Sequence, residues 1–136
     1  MENQLDKIYS TLQLLDDEKS EKLINETYSI FFNAHPEAVL LWSKDDPESR
    51  SKMFNGVILT IIDNLTRPDI FKNNLLSDVK DHDEYGVDKE MYGGFFLSLT
   101  EALKKTLGSE FNQEMELAWK HQLAHIRELV HKHTSR

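Results

Sequence analysis

Cysteine is absent from the sequence, which excludes disulfides, thiolate nucleophiles, iron–sulfur clusters and cysteine zinc sites. Six histidines are left as nitrogen donors. Proline and glycine are scarce, at three and five residues, so little interrupts the chain. Positive charge is in deficit: 16 lysine and arginine residues face 24 acidic ones, for a net charge of −8. Phosphate-backbone binding and attachment to an anionic membrane both need clustered positive charge, so neither nucleic acid nor membrane is an expected partner. No apolar run approaches the ~18 residues of a membrane span. Met1-Glu2-Asn3-Gln4-Leu5-Asp6 has neither the basic start nor the apolar stretch of a signal peptide, and a soluble cytoplasmic protein is the expectation.

What is present is enough apolar material for a core. Of 136 residues, 39% are hydrophobic and 29% charged, which fits one domain over residues 1–136 and no disordered tail. The apolar residues repeat at three and four rather than two, so the chain reads as all-α. Leu5, Ile8, Tyr9, Leu12 and Leu15 predict a first amphipathic helix that stops near Asp16-Asp17. Ile24, Tyr28, Phe31 and Phe32 share one face of a second, which must end before Pro36 because a residue preceding proline disfavours the α region. Pro36 can open a short helix through Val39 and Trp42.

Asp46-Pro47-Glu48 repeats that start signal ahead of the most regular stripe, Phe54, Val57, Ile58, Ile61, Ile62 and Leu65, which Thr66-Arg67-Pro68 ends. A more polar helix is expected from Pro68 to His82, before Tyr85-Gly86 breaks the pattern. Tyr92, Phe95, Phe96, Leu99 and Leu103 form one face of a long helix closed by Gly108 as a left-handed cap. Inside it Gly93 and Gly94 cost about 1 kcal/mol each relative to alanine, which suggests close approach by another helix or a ligand. The last helix runs from about Asn112, with Met115, Trp119, Leu123, Ile126 and Val130 inward.

Six or seven helices of unequal length with short connections suit an irregular bundle, an architecture that can enclose a flat apolar ligand. His82-Asp83-Glu84-Tyr85-Gly86-Val87 followed by Tyr92 is the most informative segment. A histidine there can point across the turn into a pocket walled by Val87 and Tyr92. From spacing alone, a solvated histidine stabilised by the helix dipole is the simpler reading.

With these motifs the chain resembles the bacterial single-domain globins and the haem domain of flavohaemoglobins, over about Tyr28 to Leu129. The family's segment after the F helix is matched by His82, Tyr85, Gly86, Val87 and Tyr92. Its distal tyrosine, eight residues before the proline of an asparagine- or histidine-proline-glutamate turn, is matched by Tyr28 ahead of Pro36-Glu37, and its late alanine-tryptophan pair by Ala118-Trp119. The resemblance implies a globin fold of six to eight helices around a haem pocket. It makes His82 the proximal ligand of haem iron, the one protein metal ligand, with Tyr92 beside it and Tyr28 as the distal hydrogen-bond donor.

The chain also departs from the family. Counting from Pro36, Trp42 stands where a phenylalanine usually stacks on the haem. The distal position, normally glutamine or histidine, falls on Ser49 with Met53 one turn on, or on Arg50 if the register shifts by one. Asp78 replaces an aliphatic residue four before His82, and no match to a supporting glutamate lies near His131-Lys132-His133, which weakens any carry-over of strong dioxygenase or peroxidase activity. Lys52 reads as a solvated side chain or a propionate partner, with iron ligation as the remoter reading. His121 and His125 are spaced as a helical metal pair without a third ligand, and Asp78, Asp81, Asp83 and Glu84 read as a solvated acidic face.

The resemblance therefore implies one non-covalent haem b and reversible binding or sensing of dioxygen, nitric oxide or carbon monoxide, rather than a dedicated enzyme with catalytic residues of its own. A chain of this length has no room for a flavin reductase domain, so turnover would need an external reductase. Two alternatives stay open: a haem-free globin-fold signalling or interaction domain, and a haem enzyme for nitric oxide, nitrite or peroxide. Neither ligand identity nor oligomeric state follows from these residues.

Overall fold

The computed structural model describes residues 4–42, 47–67, 69–75, 80 and 89–133. In chain order the elements are α1 (Gln4–Gln13), α2 (Asp17–Ala34), the 3-10 helix η1 (Pro36–Trp42), α3 (Pro47–Thr66), α4 at residues 69–75, α5 (Lys89–Leu107), the short 3-10 turn η2 (Gly108–Glu110) and α6 (Gln113–His133). No strand occurs among the described residues, as the three-four spacing predicts. Among them, no helix is long and apolar enough to cross a membrane.

Local chemistry sets the helix ends. Asp16 caps α2, its carboxylate accepting a hydrogen bond from the Lys19 N–H at 2.8 Å. At the other end of α2 the His35 N–H donates to the Phe31 carbonyl, and Pro36 then starts η1. Gly108 takes φ +58°, the left-handed conformation expected of the cap that closes α5. Asn112 accepts from the Met115 N–H at 2.9 Å and so starts α6. The break at Tyr85-Gly86 and the later part of the helix expected to reach His82 lie outside the described residues.

Burial follows the stripes. Tyr28 and Phe31 of α2, Leu99 and Leu103 of α5, and Trp119 and Val130 of α6 are all buried, with Ile8 of α1 and Ile61 of α3 joining the same cluster. Phe71 and Leu75 bring α4 to it. One expectation is corrected: Tyr9 stands on the predicted inward face of α1 but is 41% exposed, because Ile8 and Thr11 carry the buried line and Tyr9 lies at its edge.

Polar contacts join the helices across this core. Lys7 of α1 pairs with Glu114 of α6 at 2.6 Å, and Lys104 of α5 with Glu116 of α6 at 3.1 Å. Beneath them the buried Gln122 of α6 accepts from the Asn64 side-chain amide of α3 at 2.5 Å and donates to the Gln4 side chain of α1. One amide thus fixes α1 and α3 against α6, satisfying polar groups that would otherwise be costly to bury.

Candidate functional site

Residues Tyr28, Phe31, Phe32 and His35 recur at three-, four- and seven-residue intervals on α2, which places them on one face of the helix. Tyr28 is 1% exposed. Its ring lies 5.7 Å from that of Phe32 and meets Phe95 of α5 edge-on at 5.6 Å and 70°. Phe95 meets Phe31 in the same way, at 5.4 Å and 78°. The edge-to-face arrangement places positive ring edges against negative ring faces and fixes ring orientation as well as distance. Tyr28 is therefore held by rings from two helices.

Phe95 belongs to the α5 face that also carries Tyr92, Phe96 and Leu99. Tyr92 is half-buried with its hydroxyl oxygen shielded from solvent, one helical turn before Phe95. Tyr92 and Phe95 thus share one face of α5, and Phe95 of that face meets Tyr28. On α3, Met53 is half-buried and packs against the core together with Val57 and Ile58, giving that helix an apolar inward side. Lys52, next to Met53, points the other way. Its side chain is 77% exposed and pairs with Glu48 at 3.6 Å, as a solvated lysine does, so iron ligation by Lys52 is set aside.

The other expected site residues are placed less fully. His82 and Val87 lie outside the described residues, as do Asp78, Asp81, Asp83 and Glu84. Trp42 falls in η1 and Ser49 and Arg50 in α3, with their side chains outside the described set. Among the described residues, no group of three or more histidine, aspartate or glutamate side chains gathers to hold a metal. His121 and His125 are both exposed on α6, and His121 Nδ1 lies 2.6 Å from the Gln4 amide nitrogen.

The turn after α2 carries a contact that sequence reading reaches only from one side. A Cβ placed on Gly94 of α5 would overlap Nε2 and Cδ2 of His35, so the imidazole lies over bare backbone and would have to shift for any larger residue. The His35 ring also stacks on Phe31 at 5.4 Å, and its Nδ1 lies 3.2 Å from Glu37 Oε1. The Glu37 carboxyl is held below its ordinary value, first by its own backbone N–H and then by the His35 imidazole. On the next helical position Gly93 receives the Arg127 stem, whose Cδ would be 3.3 Å from an added Cβ. The glycine pair signalled close approach, as expected; nothing in the spacing identified His35 and Arg127 as the groups that approach.

A family model described as Globin matches residues 25–130, most of the chain. No curated protein matches it.

Proposed function

The chain belongs to the globin family, and from that premise we propose that it binds one non-covalent haem b and through it holds dioxygen, nitric oxide or carbon monoxide reversibly. Family membership carries this reading. The donor set supports it as well: without cysteine, neither thioether attachment nor a thiolate ligand is available, and histidine is the nitrogen donor that remains.

Each residue has a task suited to its chemistry. His82 would hold the haem iron through a neutral imidazole. Tyr92 and Val87 would line the pocket beside it. Met53, with the apolar side of α3, offers a thioether and methyl surface against which a flat macrocycle packs. By the resemblance Trp42 would stack on the macrocycle, and Ser49 would take the distal position. Tyr28 donates a hydrogen bond to the diatomic ligand, and the rings of Phe32 and Phe95 hold it for that purpose. Haem iron, when bound, would supply the affinity for a diatomic ligand. Exposed electron-transfer surface and reductase partner are not part of this assignment, since reversible binding needs neither.

The test is spectroscopic. Protein reconstituted with haem is expected to show a Soret band that His82→Ala abolishes or shifts in the ferrous and carbon-monoxide forms. Unchanged spectra in His82→Ala would overturn the proximal assignment, and no Soret band at all would leave a haem-free globin-fold domain. Tyr28→Phe is expected to speed dioxygen dissociation by the equivalent of roughly 1–3 kcal/mol, the value of one hydrogen bond to a partly charged acceptor. An unaltered rate would remove Tyr28 from the ligand site.

A further inference from the structure

We propose that His35 and Gly94 form a size-matched spacer that sets the position of the Tyr28 ring, and that His35 is thus a positioning residue for the distal donor. The inference rests on the reading of Tyr28 as that donor and adds to it the means by which the donor is aimed.

The geometry runs through four side chains. His35 packs on Gly94 so tightly that a Cβ at that position would overlap Nε2 and Cδ2 of the ring. This contact fixes how closely the end of α2 lies on α5. The next residue along α5, Phe95, inserts its ring edge-on between Phe31 and Tyr28, at 5.4 and 5.6 Å. Phe31 in turn stacks on His35 at 5.4 Å. The depth of Phe95 between the two α2 rings is therefore set one residue away, by whether an imidazole fits over a bare backbone. A side chain at Gly94 must lift α5, which moves Phe95 directly, or displace His35, which acts on Phe95 through the Phe31 ring that touches both. Packed interiors respond to such a change in discrete steps because few voids are available to absorb it.

His35 is suited to this role by its own restraints. It caps α2 through its backbone N–H, precedes the fixed φ of Pro36, and is tied at Nδ1 to Glu37. With its backbone fixed at the end of α2 and its ring resting on Phe31 and bonded at Nδ1 to Glu37, His35 serves as a spacer, whereas a freely rotating side chain would yield to the added methyl.

The test uses the full chain with Gly94→Ala, His35→Ala and the double variant, together with Tyr28→Phe. In haem-free protein labelled with fluorotyrosine, the Tyr28 fluorine resonance is assigned by its disappearance in Tyr28→Phe. It is expected to shift in Gly94→Ala and to return towards its original position when His35→Ala removes the atoms that an added Cβ would strike. In the haem-loaded protein Gly94→Ala is expected to speed dioxygen dissociation about threefold to tenfold, with the double variant largely restored and no further effect in the Tyr28→Phe background, as coupling between neighbours requires. If Gly94→Ala does not fold, His35→Ala alone must still shift the Tyr28 resonance. A Tyr28 resonance that stays put in every folded variant, or additive effects without restoration, overturns the spacer. A shifted and restored resonance combined with a dissociation rate insensitive to Tyr28→Phe upholds the spacer and overturns the distal reading of Tyr28.

Discussion

The side of the molecule built by α2, α5 and α6 and the side built by α3 are both marked by apolar residues at helical spacing, yet they are packed differently. On the first, the large side chains Tyr28, Phe31 and Trp119 are buried almost completely and ring meets ring at fixed angles. On the second, the most regular stripe in the chain buries only Phe54 and Ile61; Val57, Ile58, Ile62 and Leu65 are half-buried. Periodicity identifies the inward face of a helix and is silent on what that face meets. A helix that only partly buries its best apolar side suits the wall of a ligand pocket, the role proposed for α3.

The largest expected effect breaks the comparison directly. In haem-free protein, Phe31→Ala removes a ring held by Phe95, Phe32 and His35 and is expected to cost about 3–5 kcal/mol, the range for large-to-small changes in a closed core. Val57→Ala on α3 is expected to cost under about 2 kcal/mol, because a half-buried side chain forfeits only part of its transfer free energy. Urea unfolding followed by circular dichroism measures both. Equal losses would mean that α3 is as firmly packed as α5, and the contrast would fall.

A middle-sized effect concerns the seam where the two sides meet. Gln122 of α6 is bonded to Asn64 of α3 and to Gln4 of α1. Gln122→Ala leaves a part-buried amide on each neighbour without that partner and is expected to cost roughly 1–3 kcal/mol. Adding Asn64→Ala to it should cost less than the two changes taken separately, since they share one bond. Strict additivity in the double variant would show that the seam carries no coupling between α3 and α6.

Most of the fold was legible in the sequence, and the reasons are local. Asp16, Pro36, Pro47, Gly108 and Asn112 each act on the backbone within a few residues, so they mark helix ends without knowledge of the partner helices. Met115, Trp119, Leu123, Ile126 and Val130 declare one face of α6, and all five are buried. Tyr9 fails because its position on the face is marginal and an edge residue is decided by the neighbouring helix. Gln122 was not anticipated at all: a glutamine on a helix reads as solvated until the amides of Gln4 and Asn64, far away in sequence, are brought to it. The same limit explains the site. The resemblance points to Tyr28 and Tyr92, and the cost of glycine inside a helix points to Gly94, but the approach of His35 to Gly94 is a property of how α2 crosses α5.

The smallest effect sharpens the contrast through charge. Glu114 is held below the ordinary carboxylate value of 4.5 chiefly by its hydrogen bond to Lys7, and Glu116 by hydrogen bonds to Lys120 and Lys104. A carboxyl whose folded value lies below its unfolded one stabilises the fold at pH above about 4.5, and that contribution is lost as pH falls through the folded value, because the folded state then takes up its protons last. Glu114–Lys7 and Glu116–Lys104 join α1 and α5 to α6, whereas Glu48–Lys52 and Asp63–Arg67 are local to α3 and its end. Acidification below pH 4.5 is therefore expected to loosen α1 and the α5–α6 contact before it affects α3. The effect is small, because exposed pairs are screened by water and salt. Hydrogen exchange between pH 5 and pH 3.5, compared between the original chain and Glu116→Gln, measures it. The substitution should flatten the pH dependence of protection in α6 and leave that of α3 unchanged; the same slope in both proteins would mean that charge does not distinguish the two sides and that the difference between them lies in apolar packing alone.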